Sequence, residues 1–236
     1  MRTLVEVVAR AGPGGRTVLP VVRSSGQLAV RRTGPTTVHL VATAFGPLGG
    51  DDAELRLVVE PGARLAVRTV AAAVVLPARG DSPPSAQRVH AEVGGALDLR
   101  FEPTVVTRGA RHRALLHAQL DDGAELTATE QVQLGRVGEE PGRWTGTTRV
   151  ERGGVPVLHT TVGLGPGAAA WSPPVAPRAY ASTVHLGRSR DRATDTDAVR
   201  LPLDRGWVAT AWGERLAPTL RRLALLEGAA PAEEAL

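Results

Sequence analysis

A short unit recurs along this chain: a glycine, one or two further residues, and then a leucine that opens an alternating apolar segment. Copies begin at Gly26, Gly62, Gly94 and Gly123. From Gly62 onward the spacings are 32 and 29 residues, and Gly154 follows 31 residues later. A quasi-period near 30, with a turn and two or three strands per unit, predicts a mainly β, β-helix-like or solenoid stack of short strands. A β-sandwich also gives regularly spaced turns and remains an alternative.

The composition supports many short strands around an aliphatic core. Apolar residues make up 42% of the 236 residues but aromatic residues only 3%, so the core must be built from Val, Leu and Ala. The sequence contains no Cys, which excludes disulfides, cysteine-ligated zinc and thiol catalysis. It also contains no Lys, which excludes a phosphate-loop lysine and a Schiff-base lysine.

Charge and hydropathy argue against a nucleic-acid partner and a membrane partner. The net charge is only +4, and arginines alternate with carboxylates along the chain, so we expect no nucleic-acid partner. No run of 18 apolar residues occurs, so we expect no membrane partner either. Glu6 stands where a signal peptide would have its apolar region, and a cytoplasmic location is therefore predicted.

The chain divides into a predicted β-rich body over residues 1–190 and a helical segment over residues 191–236, packed on the same domain. Asp204 is a plausible N-cap for an amphipathic helix, and Pro218 is expected to kink that helix or to split it. Apolar residues recur at helical spacing at Trp212, Leu216, Leu220, Leu223 and Leu226.

Alternation predicts which way strand residues point. Leu126, Ala128 and Glu130 share one face of a predicted strand, which places a carboxylate on the apolar side. The continuous apolar run from Val70 to Leu76 instead predicts a strand buried on both faces.

The glycine-rich turn Gly46–Asp52 ends in two carboxylates, Asp51 and Asp52. One interpretation is a carboxylate pair that holds or passes a divalent cation, since oxygen donors suit such ions. The other is a turn aspartate that caps its own backbone.

Glu130 also has two interpretations. A carboxylate on an inward strand face needs an arginine partner or an internal polar cavity, and Arg108 and Arg136 are the supporting arginines we consider. Alternatively Glu130 is a solvated residue at a strand edge.

The remaining polar residues give no catalytic constellation. The six histidines lack metal-ligand spacing, and His112 and His117, five apart, should face opposite sides of a strand. We therefore expect ordinary core or surface histidines. No nucleophile, base and oxyanion donor occur together, so a carbohydrate-active enzyme using two carboxylates is the weaker alternative.

Several segments, taken in order, resemble one family, the urease accessory protein UreD (also called UreH). The matching segments are Gly46–Asp51, Pro61–Leu65, Thr69–Ala72, Ala86–Arg88, Glu102–Thr104, Arg108–Ala110, Glu130–Arg136, Gly138–Glu139 and Gly154–Leu158.

The resemblance implies a non-enzymatic scaffold with a β-helix-like fold. Its implied partners are a helical UreF-like protein, a UreG-like GTPase and urease apoprotein. It implies no permanently bound cofactor, only transient Ni²⁺ passing along an internal tunnel on its way to urease. Asp51 and Glu130 match positions where the family keeps acids along that route. A β-rich binding module without a metal role is the alternative.

Overall fold

The computed structural model describes residues 1–169 and 176–228, and most elements in these ranges are strands. A 3-10 turn covers Pro13–Gly15, and helix α1 covers Leu216–Glu227. The strands are β1 (Arg2–Ala11), β2 (Thr17–Ser25), β3 (Leu28–Arg32), β4 (Thr37–Ala42), β5 (Asp52–Val59), β6 (Arg64–Thr69), β7 (Ala73–Val75), β8 (Ser85–Val93), β9 (Ala96–Arg100), β10 (Thr104–Val106), β11 (Arg111–Leu120), β12 (Glu125–Leu134), β13 (Arg143–Arg152), β14 (Val155–Leu164), β15 (Ala179–Leu186), β16 (Ala193–Asp195), β17 (Ala198–Leu203) and β18 (Gly206–Gly213).

These strands form two sheets. Sheet A has the order β14-β13-β11-β8-β5-β1-β2, and sheet B has the order β16-β17-β18-β15-β12-β9-β6-β4-β3. The short strands β7 and β10 pair with each other, and β10 joins sheet B through β12. The predicted mainly β class is confirmed.

The middle of the chain alternates between the two sheets. In sheet A, β5, β8, β11 and β13 pair in parallel, and in sheet B, β6, β9 and β12 do the same. Gly62, Gly94 and Gly123 lie at the turns where the chain passes from sheet A to sheet B. The 30-residue spacing therefore reflects one strand added to each sheet per passage. Gly154 differs, because it joins β13 and β14 as an antiparallel hairpin within sheet A.

The main core cluster between the sheets is aliphatic, as the composition predicts, whereas two smaller clusters contain buried Trp144, Tyr180 and Trp207. Leu55 and Leu57 of β5 and Leu65 and Val67 of β6 are almost fully buried in one cluster. Because side chains alternate across a strand, the same strands present charged residues such as Arg56 on the outer face.

The C-terminal region contains more sheet than expected. Within the described residues 193–228, strands β16, β17 and β18 lie between residues 193 and 213, and Leu216–Glu227 are helical. The predicted N-cap at Asp204 is wrong, because that residue lies in the turn between β17 and β18. Pro218 does not break α1, since it occupies the first helical turn, where backbone N–H groups lack intrahelical partners. Residues 229–236 of the predicted helical segment lie outside the described residues.

The prediction of a buried strand from Val70 to Leu76 is also wrong. Only Ala73–Val75 is a strand, and Val70 is 60% exposed. The reason is that β7, among the strands the structure describes, pairs with the three residues of β10 alone, so little of the run is covered. Within the described ranges, no helix combines the length and apolarity that crossing a membrane requires.

Candidate functional site

The turn before β5 fixes the position of Asp51. The Asp51 N–H donates to the Leu48 carbonyl at 2.9 Å, and the Leu48 N–H donates to Asp51 Oδ2 at 2.9 Å. Gly50 has a φ of 82°, a left-handed conformation that glycine adopts without strain. The interpretation of Asp51 as a capping residue is confirmed by these bonds.

The Asp51 carboxylate is buried, with only 7% of the residue exposed. It also accepts hydrogen bonds from the Met1 amino group and from Gln27 Nε2, the latter at 3.0 Å. Burial alone would raise the pKa of Asp51, but the amino group, the Leu48 N–H and the Gln27 amide together outweigh burial and lower it. Asp51 is therefore an ionised acid held in place by three donors.

Asp52 faces the other way. It begins β5 and forms an ion pair with Arg88 on the outer side of sheet A. Adjacent strand residues point to opposite faces, so the structure does not bring Asp51 and Asp52 together as a carboxylate pair.

Glu130 lies on the inward face of β12, and the predicted side shared with Leu126 and Ala128 is confirmed. The residue keeps some accessible surface, yet its carboxyl group is surrounded by protein, because that surface faces an internal cavity. Burial raises the pKa of Glu130 to about 7. Burial, and then the nearby Glu130 charge, raise the pKa of Tyr180 to about 12.

Neither arginine considered as a partner reaches Glu130. Arg136 is exposed and forms a two-point ion pair with Glu139, at 3.0 and 3.2 Å. This pair lowers the pKa of Glu139 to about 2, helped by the backbone N–H groups of Arg136 and Arg108. The Arg108 side chain is exposed in the turn before β11. Both arginines thus belong to a surface loop cluster.

Three adjoining cavities lie between the sheets. The outer cavity, about 220 Å³, is lined by Asp51, Gln87 and His112 among others. The middle cavity, about 70 Å³, is lined by Gln87, His112 and Glu130. The third cavity, about 60 Å³, is lined by Gln87, Glu130 and Ser182, and we call it the inner cavity because it lies farthest from Asp51 in this series. Each cavity shares wall residues with the next, so the cavities that Asp51 and Glu130 line adjoin one another.

His112 is the site residue that sequence reasoning did not single out. It faces inward and His117 outward, as their spacing predicts. Burial lowers the pKa of His112 to about 4, so its ring is neutral at physiological pH. His112 differs from an ordinary core histidine by its contact with Ser85 on the neighbouring strand β8, and the sequence does not show which strands are neighbours.

The cavities offer sparse ligands. In the part of the chain that the structure describes, no three His, Asp or Glu side chains cluster closely enough to hold a metal ion. The arrangement can contact a cation one or two ligands at a time, with water completing the coordination shell. Such a series suits passage of an ion better than storage.

Comparison with known proteins identifies the family. A family model described as UreD urease accessory protein matches residues 4–224. The chain belongs to the UreD family. UreD from Frankia alni is 34% identical, with 96% of this chain and 92% of that protein covered. UreD 1 from Saccharopolyspora erythraea is 36% identical, with 70% of this chain and 68% of that protein covered. UreD from Streptomyces avermitilis is 37% identical, with 71% of this chain and 69% of that protein covered.

Membership of the UreD family confirms the resemblance seen in the sequence. The family model and the relatives are described as urease accessory proteins, which is an accessory role and not an enzymatic one. The alternative of a carbohydrate-active enzyme is therefore wrong.

Proposed function

We propose that this chain is a urease maturation scaffold whose interior passes Ni²⁺ toward the urease active site. Family membership supports the accessory role. The observation that carries the metal role is the placement of Asp51 and Glu130 in adjoining cavities between the two sheets. Nickel is the cargo, and no permanently bound cofactor is part of the proposal.

The chemistry of Asp51 suits brief contact. A carboxylate has about four lone-pair sites, and three hydrogen bonds occupy three of them. A cation in the outer cavity would meet a single remaining site on a fully ionised group. One ligand attracts the ion without trapping it.

Glu130 suits the inner end of the route for a different reason. No ion pair in the described residues involves its carboxyl group, and burial disfavours its charge. An incoming cation compensates that charge and displaces the proton. The cation leaves at little cost once the proton returns.

The mouth of the outer cavity supports a docking role. Phe45, beside the lining residues Ala44 and Gly46, is 94% exposed, and Val70 is exposed at the same rim. Exposed apolar residues around an opening favour a partner that covers it. We assign this role to a UreF-like helical protein, with a UreG-like GTPase and urease apoprotein completing a cytoplasmic assembly.

The same proposal includes a β-helix-like stack of the strands. The parallel alternation from β5 to β13 is consistent with coils of a β-helix-like stack. In such a stack the space between the sheets runs along the stacking direction, and the cavity linings follow it, from Thr3 and Leu55 in the outer cavity to Thr148 in the inner one.

Reconstituted urease activation tests the proposal. Asp51→Asn and Glu130→Gln remove one charge each and keep the side-chain shape. Both should leave co-purification with UreF-like and UreG-like proteins intact and reduce the nickel content of urease. Glu125→Gln removes one charge at the exposed start of β12, outside the three cavities, and serves as control.

A binding module without a metal role is the second candidate, favoured by the three internal donors that already satisfy Asp51. It predicts unchanged nickel content in both variants, with partner binding preserved. Absence of co-purification with either partner would refute the scaffold role itself.

A further inference from the structure

The middle of the cavity series carries a nitrogen donor. His112 is only 4% exposed and lines both the outer and the middle cavity. In sheet A its register neighbours are Ser85 on β8 and Trp144 on β13. The ring therefore lies between the cavity that Asp51 lines and the cavity that Glu130 lines.

A hydrogen-bond chain fixes the state of the ring. His112 Nδ1 lies 2.9 Å from Ser85 Oγ, and Ser85 Oγ donates to the Arg111 carbonyl at 3.3 Å. We assign the hydroxyl hydrogen to that carbonyl, which can only accept, and the hydroxyl oxygen then accepts from Nδ1–H. This network assigns the proton to Nδ1 and leaves a lone pair on Nε2.

Nε2 is directed toward open space. It has no hydrogen-bond partner among the described residues, and it is absent from the polar atoms that are fully enclosed without partners. A buried ring with one nitrogen held by a neighbour and the other free is the arrangement in which histidine ligates metals.

Nitrogen changes which ions the route favours. Carboxylate, carbonyl and water oxygens suit Mg²⁺ and Ca²⁺, whereas imidazole suits Ni²⁺, Cu²⁺ and Zn²⁺. A route lined only by acids would admit the abundant hard cations as readily as nickel. One neutral imidazole on the way discriminates against them.

We infer that His112 Nε2 is a nitrogen ligand that Ni²⁺ contacts between Asp51 and Glu130, and that Ser85 is the positioning residue that holds the ring for this contact. The inference rests on the proposed nickel route and adds the group that makes the route selective. With no third ligand close by among the described residues, the contact is transient.

Magnetic resonance of the full chain with ¹⁵N-labelled histidine tests the ligand directly. The His112 ring signals are assigned by their loss in His112→Phe. The free protein should show a protonated Nδ1 and an unprotonated Nε2, and added NiCl₂ should broaden the His112 signals. A proton on Nε2, or full-intensity His112 signals while other histidines broaden, overturns the inference.

Nickel transfer to urease tests the role. His112→Gln and Ser85→Ala should slow transfer roughly tenfold, the usual effect of losing a ligand or its orienting partner, and both should make transfer sensitive to excess MgCl₂. His117→Gln, on the outer face of the same strand, should behave as wild type.

The outcomes separate this inference from the proposed function. If Asp51→Asn and Glu130→Gln reduce transfer while His112→Gln and Ser85→Ala match wild type with and without MgCl₂, the route stands and the nitrogen ligand is refuted. If all four variants transfer nickel normally, the route and the ligand are refuted together.

Discussion

Replacing Glu130 by Gln removes a carboxyl group from the interior between the sheets and keeps its shape. In the folded chain the pKa of Glu130 is raised from an ordinary 4.5 to about 7. Between these values the folded state binds more protons than the unfolded state, so the free energy of unfolding falls as pH rises from 4.5 through 7. Above pH 7 the full penalty applies, and it amounts to roughly 3 kcal/mol, because one pKa unit corresponds to about 1.4 kcal/mol.

The free energy of unfolding of Glu130→Gln should therefore equal that of wild type near pH 4.5 and be higher by up to roughly 3 kcal/mol at pH 8.5. Water in the cavity would solvate the wild-type carboxylate and make this difference smaller. Urea unfolding followed by tryptophan fluorescence, to which the buried Trp144 and Trp207 contribute, measures the difference at several pH values. Glu125→Gln, at an exposed position of the same strand, is the control and should change the free energy of unfolding by under about 0.5 kcal/mol.

A stability difference that stays constant from pH 4.5 to pH 8.5 would refute the reasoning. So would a Gln variant that is less stable than wild type at pH 8.5, because a neutral side chain cannot carry the charge penalty.

Three further substitutions test the packing. Asp51→Ala should lower the free energy of unfolding by about 2–4 kcal/mol, because it leaves buried donors such as the Leu48 N–H without an acceptor. Since folding lowers the pKa of Asp51, this loss should shrink as pH falls below 3.8, and urea unfolding at several pH values measures it. Gly146→Ala should cost about 1–3 kcal/mol, because a Cβ would overlap the Trp144 ring, and an unchanged fluorescence spectrum and midpoint would contradict this. Leu223→Ala should cost about 2–4 kcal/mol by opening the contact of α1 with sheet B, measured as a lower thermal midpoint.

The sheet pattern was predictable where local rules act alone. Alternation placed Leu126 and Glu130 on the inner face correctly, because strand geometry fixes side-chain direction whatever the neighbours are. The spacing of Gly62, Gly94 and Gly123 also reported a true structural period, since each marks the same turn between sheets.

The elements that the sequence predicted wrongly depend on pairing with strands that lie elsewhere in the chain. The apolar run from Val70 is partly exposed because no long strand among the described residues covers it, and such cover depends on residues far away in the sequence. Asp204 has the chemistry of an N-cap but lies in a hairpin turn, because strands β17 and β18 pair across it.

The site followed the same division. The sequence predicted that Glu130 points inward, but it could not show that Arg136 leaves Glu130 unpaired among the described residues. Arg136 instead forms an ion pair with Glu139 within its own loop. His112 became distinctive only through Ser85, 27 residues away along the chain and adjacent in sheet A.

A plug in the cavity series tests the nickel route most directly. Gln87 lines all three cavities, so Gln87→Phe places a ring where they adjoin, and Gln119→Phe makes the same change on the exposed face of sheet A. The nickel content of reconstituted urease should fall severalfold with Gln87→Phe and stay at the wild-type level with Gln119→Phe, while both variants assemble with partners and urease. Full nickel loading by a folded, assembled Gln87→Phe protein would contradict the account.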